Sequence, residues 1–350
     1  MDRYPLIAIT GGTGWLGQRL VAALTGELAA LAPQAAGAGR IRCLVEPGAR
    51  GGWLKKAGVE CVTGDIRDSQ AVAALLDGAR DALVYHLAGV IHPPGRTKLL
   101  HEVNVGGAQL VLEAARKADA GRLVMMSSNS PFGANRRPED VFDEDSPFNP
   151  YMGYGRSKME MERLCALAMG RAGMPEIVIA RAPWFYGPGQ PPRQTQFFTM
   201  IRRGRFPLMG RGENRRSMGY VDNLALGLLL CGTQDRAANK VYWLADARPY
   251  PMAEVVRTVA DVLREDFGMD AAEKPLRVPG LIADGARLAD AALQVCGIYH
   301  QKIHVLSEMN LTIACSIARA REELGFDPPV SLREGMRNSI AWCLEQGYRI

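Results

Sequence analysis

The 350-residue chain has no long apolar run. Crossing a bilayer takes about 20 consecutive apolar residues, and the longest candidate, 224–231, stops well short, so no integral membrane segment is expected. No secretory leader is expected either, because Asp2 and Arg3 lead straight into a short apolar stretch. Cysteine is scattered. The seven thiols (Cys43, Cys61, Cys165, Cys231, Cys296, Cys315 and Cys343) include no C-x-x-C pair. That excludes a disulfide frame or a zinc site and reads as the reduced thiols of a cytoplasmic protein. There is no basic block either. Lys and Arg exceed Asp and Glu by only 42 to 37, spread along the chain, whereas a nucleic-acid binder concentrates its excess on one face. The small positive balance suits an anionic cofactor or a small-molecule substrate. Repeats are absent, and the nearest thing to low complexity is a short, flexible Ala/Gly loop at 35–39.

What the chain does have is glycine, 38 residues of it, much of it in turns between apolar runs. Strand-like runs at 6–10, 41–45, 59–63, 82–87, 123–127 and 177–181 alternate with helix-period segments, near 15–28, 70–76, 105–117 and 151–169. Such alternation predicts right-handed crossovers and a doubly wound parallel sheet of the α/β class. Past Arg181 the pattern changes. A Pro/Gly-rich stretch at 187–192 and a basic one near 211–216 precede helices predicted at 222–230, 252–267, 316–324 and 332–345. The reading is a dinucleotide-binding unit over 1–185 and a smaller, mainly helical C-terminal lobe over 186–350, with segments near 216–245 returning to the first unit.

Three motifs agree on one chemistry. Gly11, Thr13, Gly14, Trp15, Leu16 and Gly17 lie between the first strand and first helix, with glycines three apart. Backbone there can approach a pyrophosphate at a helix N-terminus. Tyr154 and Lys158 are four apart, hence on one helical face, where an ammonium lowers the pKa of a phenol. Ser127 and Ser128 end the fifth strand, and ligands of an open α/β sheet bind at carboxyl ends. A hydroxyl there can hold a substrate oxygen while the tyrosine transfers a proton. Taken singly, these are also an ordinary turn, a surface pair and a strand end; their order on these elements joins them.

On these residues the chain resembles the extended short-chain dehydrogenase/reductase family, which includes nucleotide-sugar epimerases and 3β-hydroxysteroid dehydrogenases, and the resemblance covers nearly all of it. It implies a Rossmann-type fold and a homodimer. Asp65-Ile66 is similar to the adenine-contacting turn, and His86-Leu87-Ala88-Gly89 to the fourth-strand cofactor segment. Asn104 matches the family's helix-stabilising asparagine and joins the expected catalytic set. The run 181–188 resembles the element beside the nicotinamide and places Ala182 and Pro183 at the cofactor. Arg216 with 220–222, and 324–328, match two further family stretches. Counting to Gly133 makes Ser128 the expected catalytic hydroxyl and leaves Ser127 at the cofactor.

Glu46, after the second strand, favours NAD over NADP, because a carboxylate bonds ribose hydroxyls and repels a 2′-phosphate. It stands 29 residues after Gly17 instead of about 20, a difference the Ala/Gly loop accounts for, and Arg50 is placed to accept a phosphate instead. Asn129 and Ser130 follow Ser128 where sugar dehydratases of the family carry acids, which argues against dehydration. Trp184 stands where epimerases of the family hold a diphosphate-contacting asparagine, and with Phe185 it suits an apolar body. Arg216 pulls toward a diphosphate, or is a surface residue. The apolar stretch 281–313 either lines a greasy pocket or packs the lobe, and His300 and His304 have no third metal ligand, so no metal is expected. The reading is an NAD(P)-dependent dehydrogenase or reductase acting on an apolar secondary alcohol or ketone, with a nucleotide-sugar epimerase as alternative. A cofactor-sensing regulator is the remote third reading, disfavoured because a sensor needs no proton-transfer set.

Overall fold

In the computed structural model, residues 3–29 and 39–350 are described; all but Gly39 of the expected loop at 35–39 lies outside them. The strands are β1 (Leu6–Thr10), β2 (Arg40–Val45), β3 (Glu60–Thr63), β4 (Leu83–His86), β5 (Arg122–Ser128), β6 (Glu176–Ala182), β7 (Trp184–Tyr186), β8 (Pro207–Met209), β9 (Arg215–Arg216), β10 (Met218–Tyr220), β11 (Lys240–Trp243), β12 (Tyr250–Pro251) and β13 (Leu276–Val278). The helices are α1 (Trp15–Leu24), α2 (Gly52–Lys56), α3 (Ser69–Leu75), α4 (Lys98–His101), α5 (Gly107–Lys117), α6 (Met152–Ala168), α7 (Pro192–Arg202), α8 (Val221–Thr233), α9 (Met252–Glu265), α10 (Gly280–Val295), α11 (Gln301–Glu308), α12 (Ala318–Leu324) and α13 (Leu332–Glu345).

Seven strands form one parallel sheet in the order β11-β6-β5-β4-β1-β2-β3. The inner strands are apolar on both faces and split them by the two-residue period of a strand. Ile7 and Ile9 of β1 pack on one side with Leu16 and Leu20 of α1 and Leu224 and Leu228 of α8. Leu6 and Ala8 pack on the other with Val72 of α3, Val111 of α5 and Met161 of α6. The chain runs outward from β1 to β3, then returns to β4 on the opposite side of β1. This reversal opens a crevice at the carboxyl ends of β1 and β4, where doubly wound sheets bind ligands.

The fully buried Arg122 ties the sheet to α8: it pairs with Glu176 and donates to the carbonyls of Cys231, Gly232 and Gln234 at the end of that helix. A third apolar cluster, with Phe198, Tyr220, Val255, Val259 and Met336, holds α7, α9 and α13 together as the C-terminal part. No helix among the described residues is long and apolar enough to cross a membrane.

Candidate active site

The turn from β1 to α1 folds against the end of β4. Gly11 has φ +74°, and a Cβ on it would sit 2.6 Å from the Ala88 nitrogen; one on Gly17 would sit 2.0 Å from the Gly11 carbonyl. Only glycine permits that approach at both positions. The N-terminus of α1 has no side-chain cap and no acidic residue in its first turn, so its free N–H groups present an anion site. The Trp15 indole donates to the Pro188 carbonyl at 2.7 Å and its ring lies 5.0 Å from Phe185. Thr13 lies half-buried in the loop, whereas Leu16 turns inward and packs in the core.

On the far side of the crevice, Glu46 stands exposed just past β2. Asp65 has turned its carboxylate onto Arg67 at 2.6 Å, which holds it below the usual range, and Ile66 is buried against Gly107. At the end of β4, the Leu87 N–H donates to the Thr10 carbonyl at 3.1 Å. Gly89 lies so close to Lys158 that a Cβ on it would be 3.4 Å from Nζ. His86 is fully buried, with Nδ1 2.8 Å from Thr10 Oγ1 and Nε2 unpartnered. Burial, then the Lys158 charge, push it down to about 3 and keep it neutral.

Ser128 ends β5 directly beside Ala182, with Pro183 next along the chain. Its hydroxyl lies 3.5 Å from Asn129 Oδ1 and 3.3 Å from Ser130 Oγ, and only its nearness to Tyr154 opposes the burial that pushes the phenol up to about 12. The expected lowering of Tyr154 by Lys158 is therefore corrected. The Lys158 ammonium donates to the Met126 carbonyl at 2.8 Å instead, and burial brings it down to about 8, opposed first by Glu162. Trp184 meets Phe197 edge to face at 5.5 Å.

Three residues expected at the site make their contacts elsewhere. The Ser127 hydroxyl donates to Glu162, since successive strand residues face opposite sides. Asn104, in a π-helical turn over Glu102–Gly106, donates to the Val90 carbonyl at 2.9 Å and to Ser157 Oγ at 3.0 Å, and accepts from the Val90 N–H at 2.8 Å. It moors the β4 loop to α6, with its Oδ1 3.2 Å from where a Cβ on Gly89 would stand, beside Lys158. Arg216 is half-buried: desolvation lowers its pKa, and it donates to the Glu308 carbonyl.

The sequence profile of the NAD dependent epimerase/dehydratase family matches residues 7–245. The chain belongs to this family. It is therefore an NAD-dependent epimerase/dehydratase-type oxidoreductase, and its relatives include both steroid dehydrogenases and nucleotide-sugar epimerases. It is 50% identical over 343 residues to the uncharacterized protein y4nL of Sinorhizobium fredii, covering 98% of this chain and 96% of that one. It is 26% identical to 3beta-hydroxysteroid-dehydrogenase/decarboxylase isoform 1 of Arabidopsis thaliana, over 95% and 78% of the two chains. A solved Thermus thermophilus UDP-glucose 4-epimerase in complex with NAD superposes with a TM-score of 0.70 at 20% identity, over 96% of this chain and 98% of that one.

Two groups near this family's motif residues escaped the sequence reading. One is the buried set Ser127, Glu162 and Arg181, foreshadowed only by Glu162 lying one more helical turn beyond Lys158. The other fastens α10 and α11 over the start of α6. The Tyr151 hydroxyl lies 3.0 Å from Asp290 and Ser307, His304 Nδ1 lies 2.8 Å from Asp290, and the Gly153 N–H donates to Gln294 at 3.1 Å. Between them Met152 holds φ +54°, a left-handed value costly for a side chain and sustained by contacts on both sides. His304 is thus spoken for by Asp290, and the described residues contain no cluster suited to a metal.

Proposed function

We propose that the chain moves a hydride between NAD and a secondary alcohol or ketone carried on a largely apolar, steroid- or lipid-like body. The uncapped N-terminus of α1 and the glycine-tight loop before it fit a dinucleotide. Gly11, Thr13, Gly14 and Gly17 would hold the pyrophosphate, Glu46 the adenosine ribose, and Asp65 the adenine edge. Leu87, Ala88 and Gly89 would flank the nicotinamide half, Lys158 its ribose, and Ala182 and Pro183 its ring. When bound, NAD supplies the hydride acceptor or donor.

The chain's own residues handle the substrate oxygen. Ser128 donates a hydrogen bond to it and Tyr154 exchanges a proton with it. Burial favours the neutral phenol of Tyr154, the form that donates a proton to a developing alkoxide.

The placement of Arg216 carries the substrate class. A nucleotide sugar needs a free cation for its diphosphate, and this half-buried guanidinium already donates to the Glu308 carbonyl. Trp184 and Phe185 instead offer half-buried rings near the carboxyl edge. Each additional buried CH₂ of substrate should therefore add about 0.8 kcal/mol of binding, read as a falling KM along a homologous series of ketones. UDP and GDP should leave the thermal midpoint unmoved. Clear protection by either nucleotide overturns the apolar reading in favour of sugar epimerisation.

A further inference from the structure

The Tyr154–Lys158 face of α6 continues one turn further to Glu162, and nothing so far gives that buried carboxylate a task. Glu162 is 2% exposed and Lys158 5% exposed. Arg181 meets the carboxylate with Nε at 3.1 Å and Nη2 at 2.8 Å from Oε2, and Ser127 donates to Oε1. Arg181 is itself fixed by stacking 4.4 Å from the Phe132 ring and by donating to the Glu144 carbonyl at 3.0 Å. A carboxylate so held cannot turn away. Met126, whose carbonyl accepts from Lys158, adjoins Ser127 on β5, so the two charged side chains are anchored at neighbouring points of one strand.

Lys158 faces few other charges. From its own helix come Tyr154, Glu162 and Cys165; from β4 comes His86; Arg181 on β6 and, behind it, Glu144 act through Glu162. Tyr154 and Cys165 are both pushed up to about 12 and His86 down to about 3, so all three are neutral near pH 7. Among these immediate neighbours Glu162 alone brings negative charge. A buried ammonium with no such partner tends to lose its proton, and Lys158 already stands near 8 with Glu162 in place.

We propose that Glu162 is a positioning residue for Lys158: a carboxylate moored by Ser127 and Arg181 that keeps the lysine protonated at the cofactor face. This rests on the role given above to Lys158, and the test separates the two. With lysine side chains enriched in ¹³C, the Lys158 titration is followed by NMR in the protein without cofactor, and NAD affinity is followed by calorimetry across the same pH range. Glu162→Gln should lower the Lys158 midpoint by about one pH unit or more, and the alkaline loss of NAD affinity should move with it. Glu162→Asp keeps the charge but withdraws it, and should shift the midpoint part of the way. Ser127→Ala removes a hydrogen bond and no charge, and should leave the midpoint in place. An unmoved midpoint in Glu162→Gln, or in Glu162→Asp should the amide variant not fold, overturns the proposal. So does an equal shift in Ser127→Ala, which would make the effect one of packing. A midpoint that moves while NAD affinity does not supports the coupling and overturns instead the ribose role of Lys158.

Discussion

Helices α8 and α10 both carry several leucines, yet they use them in opposite ways. Eleven residues of α8 are buried between the sheet and α1, as expected of a helix apolar all round. In α10 only Ala283 and Asp290 are buried, while Leu281, Leu288 and Val295, seven apart, are 80%, 76% and 88% exposed. The sheet half is held by apolar burial, and α10–α11 is held over the start of α6 by the polar contacts of Asp290, Gln294 and His304. Segments with few buried apolar contacts open readily, so α10 and α11, which lie over the start of the helix carrying Tyr154 and Lys158, should loosen more easily than the sheet half.

The largest effect should come from the core side of this comparison. Leu228→Ala, at a fully buried position of α8, should cost about 2–5 kcal/mol of global stability, measured by denaturant unfolding. A cost below 1 kcal/mol would mean that α8 is not the rigid layer described here.

Tyr154→Phe comes next, because it acts on the chemistry that both halves frame. Turnover should fall by about 10²-fold or more, while NAD affinity and the thermal midpoint stay near wild type. Steady-state rates left intact would remove Tyr154 from the proposed mechanism.

The two halves also differed in how much of them could be read from residues alone. Inner strands of the sheet are continuous apolar runs, and the glycine turn and Tyr154–Lys158 pair sit at fixed offsets from them, so their order was legible. Strands β7 to β10, β12 and β13 have two or three residues each, too few to show a period. Helix α7 opens on Pro192 straight after a Pro/Gly stretch, which reads as loop although proline is at home in a first turn. At Ser127 and Ser128 a one-residue step decides between Glu162 and Tyr154, and the pattern could not assign the partners. Four-residue spacing put Lys158 beside Tyr154 but could not show that Nζ spends its bond on Met126. The apolar content of 281–313 gave no sign that α10 leaves its largest side chains in water.

An intermediate effect is expected where the polar fastening is cut. Asp290→Asn replaces an acceptor shared by Tyr151, His304 and Gln294 with an amide that brings donors of its own. One buried donor is left unsatisfied, at about 1–3 kcal/mol, but the loss should stay local. Hydrogen exchange should quicken in α10, α11 and the first turn of α6, and KM should rise more than kcat falls, with the sheet's protection unchanged. Exchange that quickens equally throughout the sheet would show that the fastening belongs to the global fold.

The smallest effect should come from the same substitution as the largest, made on the other helix. Leu288→Ala deletes the same atoms as Leu228→Ala, from a side chain 76% exposed in place of one 0% exposed. Little apolar surface returns to water and no cavity forms, so stability should change by less than about 0.5 kcal/mol. The matched pair removes helix propensity as an explanation, because leucine and alanine rank close together and the exchange is identical in both helices. A cost at Leu288 approaching that at Leu228 would mean that this face of α10 is packed in solution, and the contrast between an apolar sheet half and a polar-fastened lobe would fail. A negligible cost together with a raised KM for long-chain ketones would place the exposed leucine against the substrate, and would join the lobe to the apolar specificity proposed for Trp184 and Phe185.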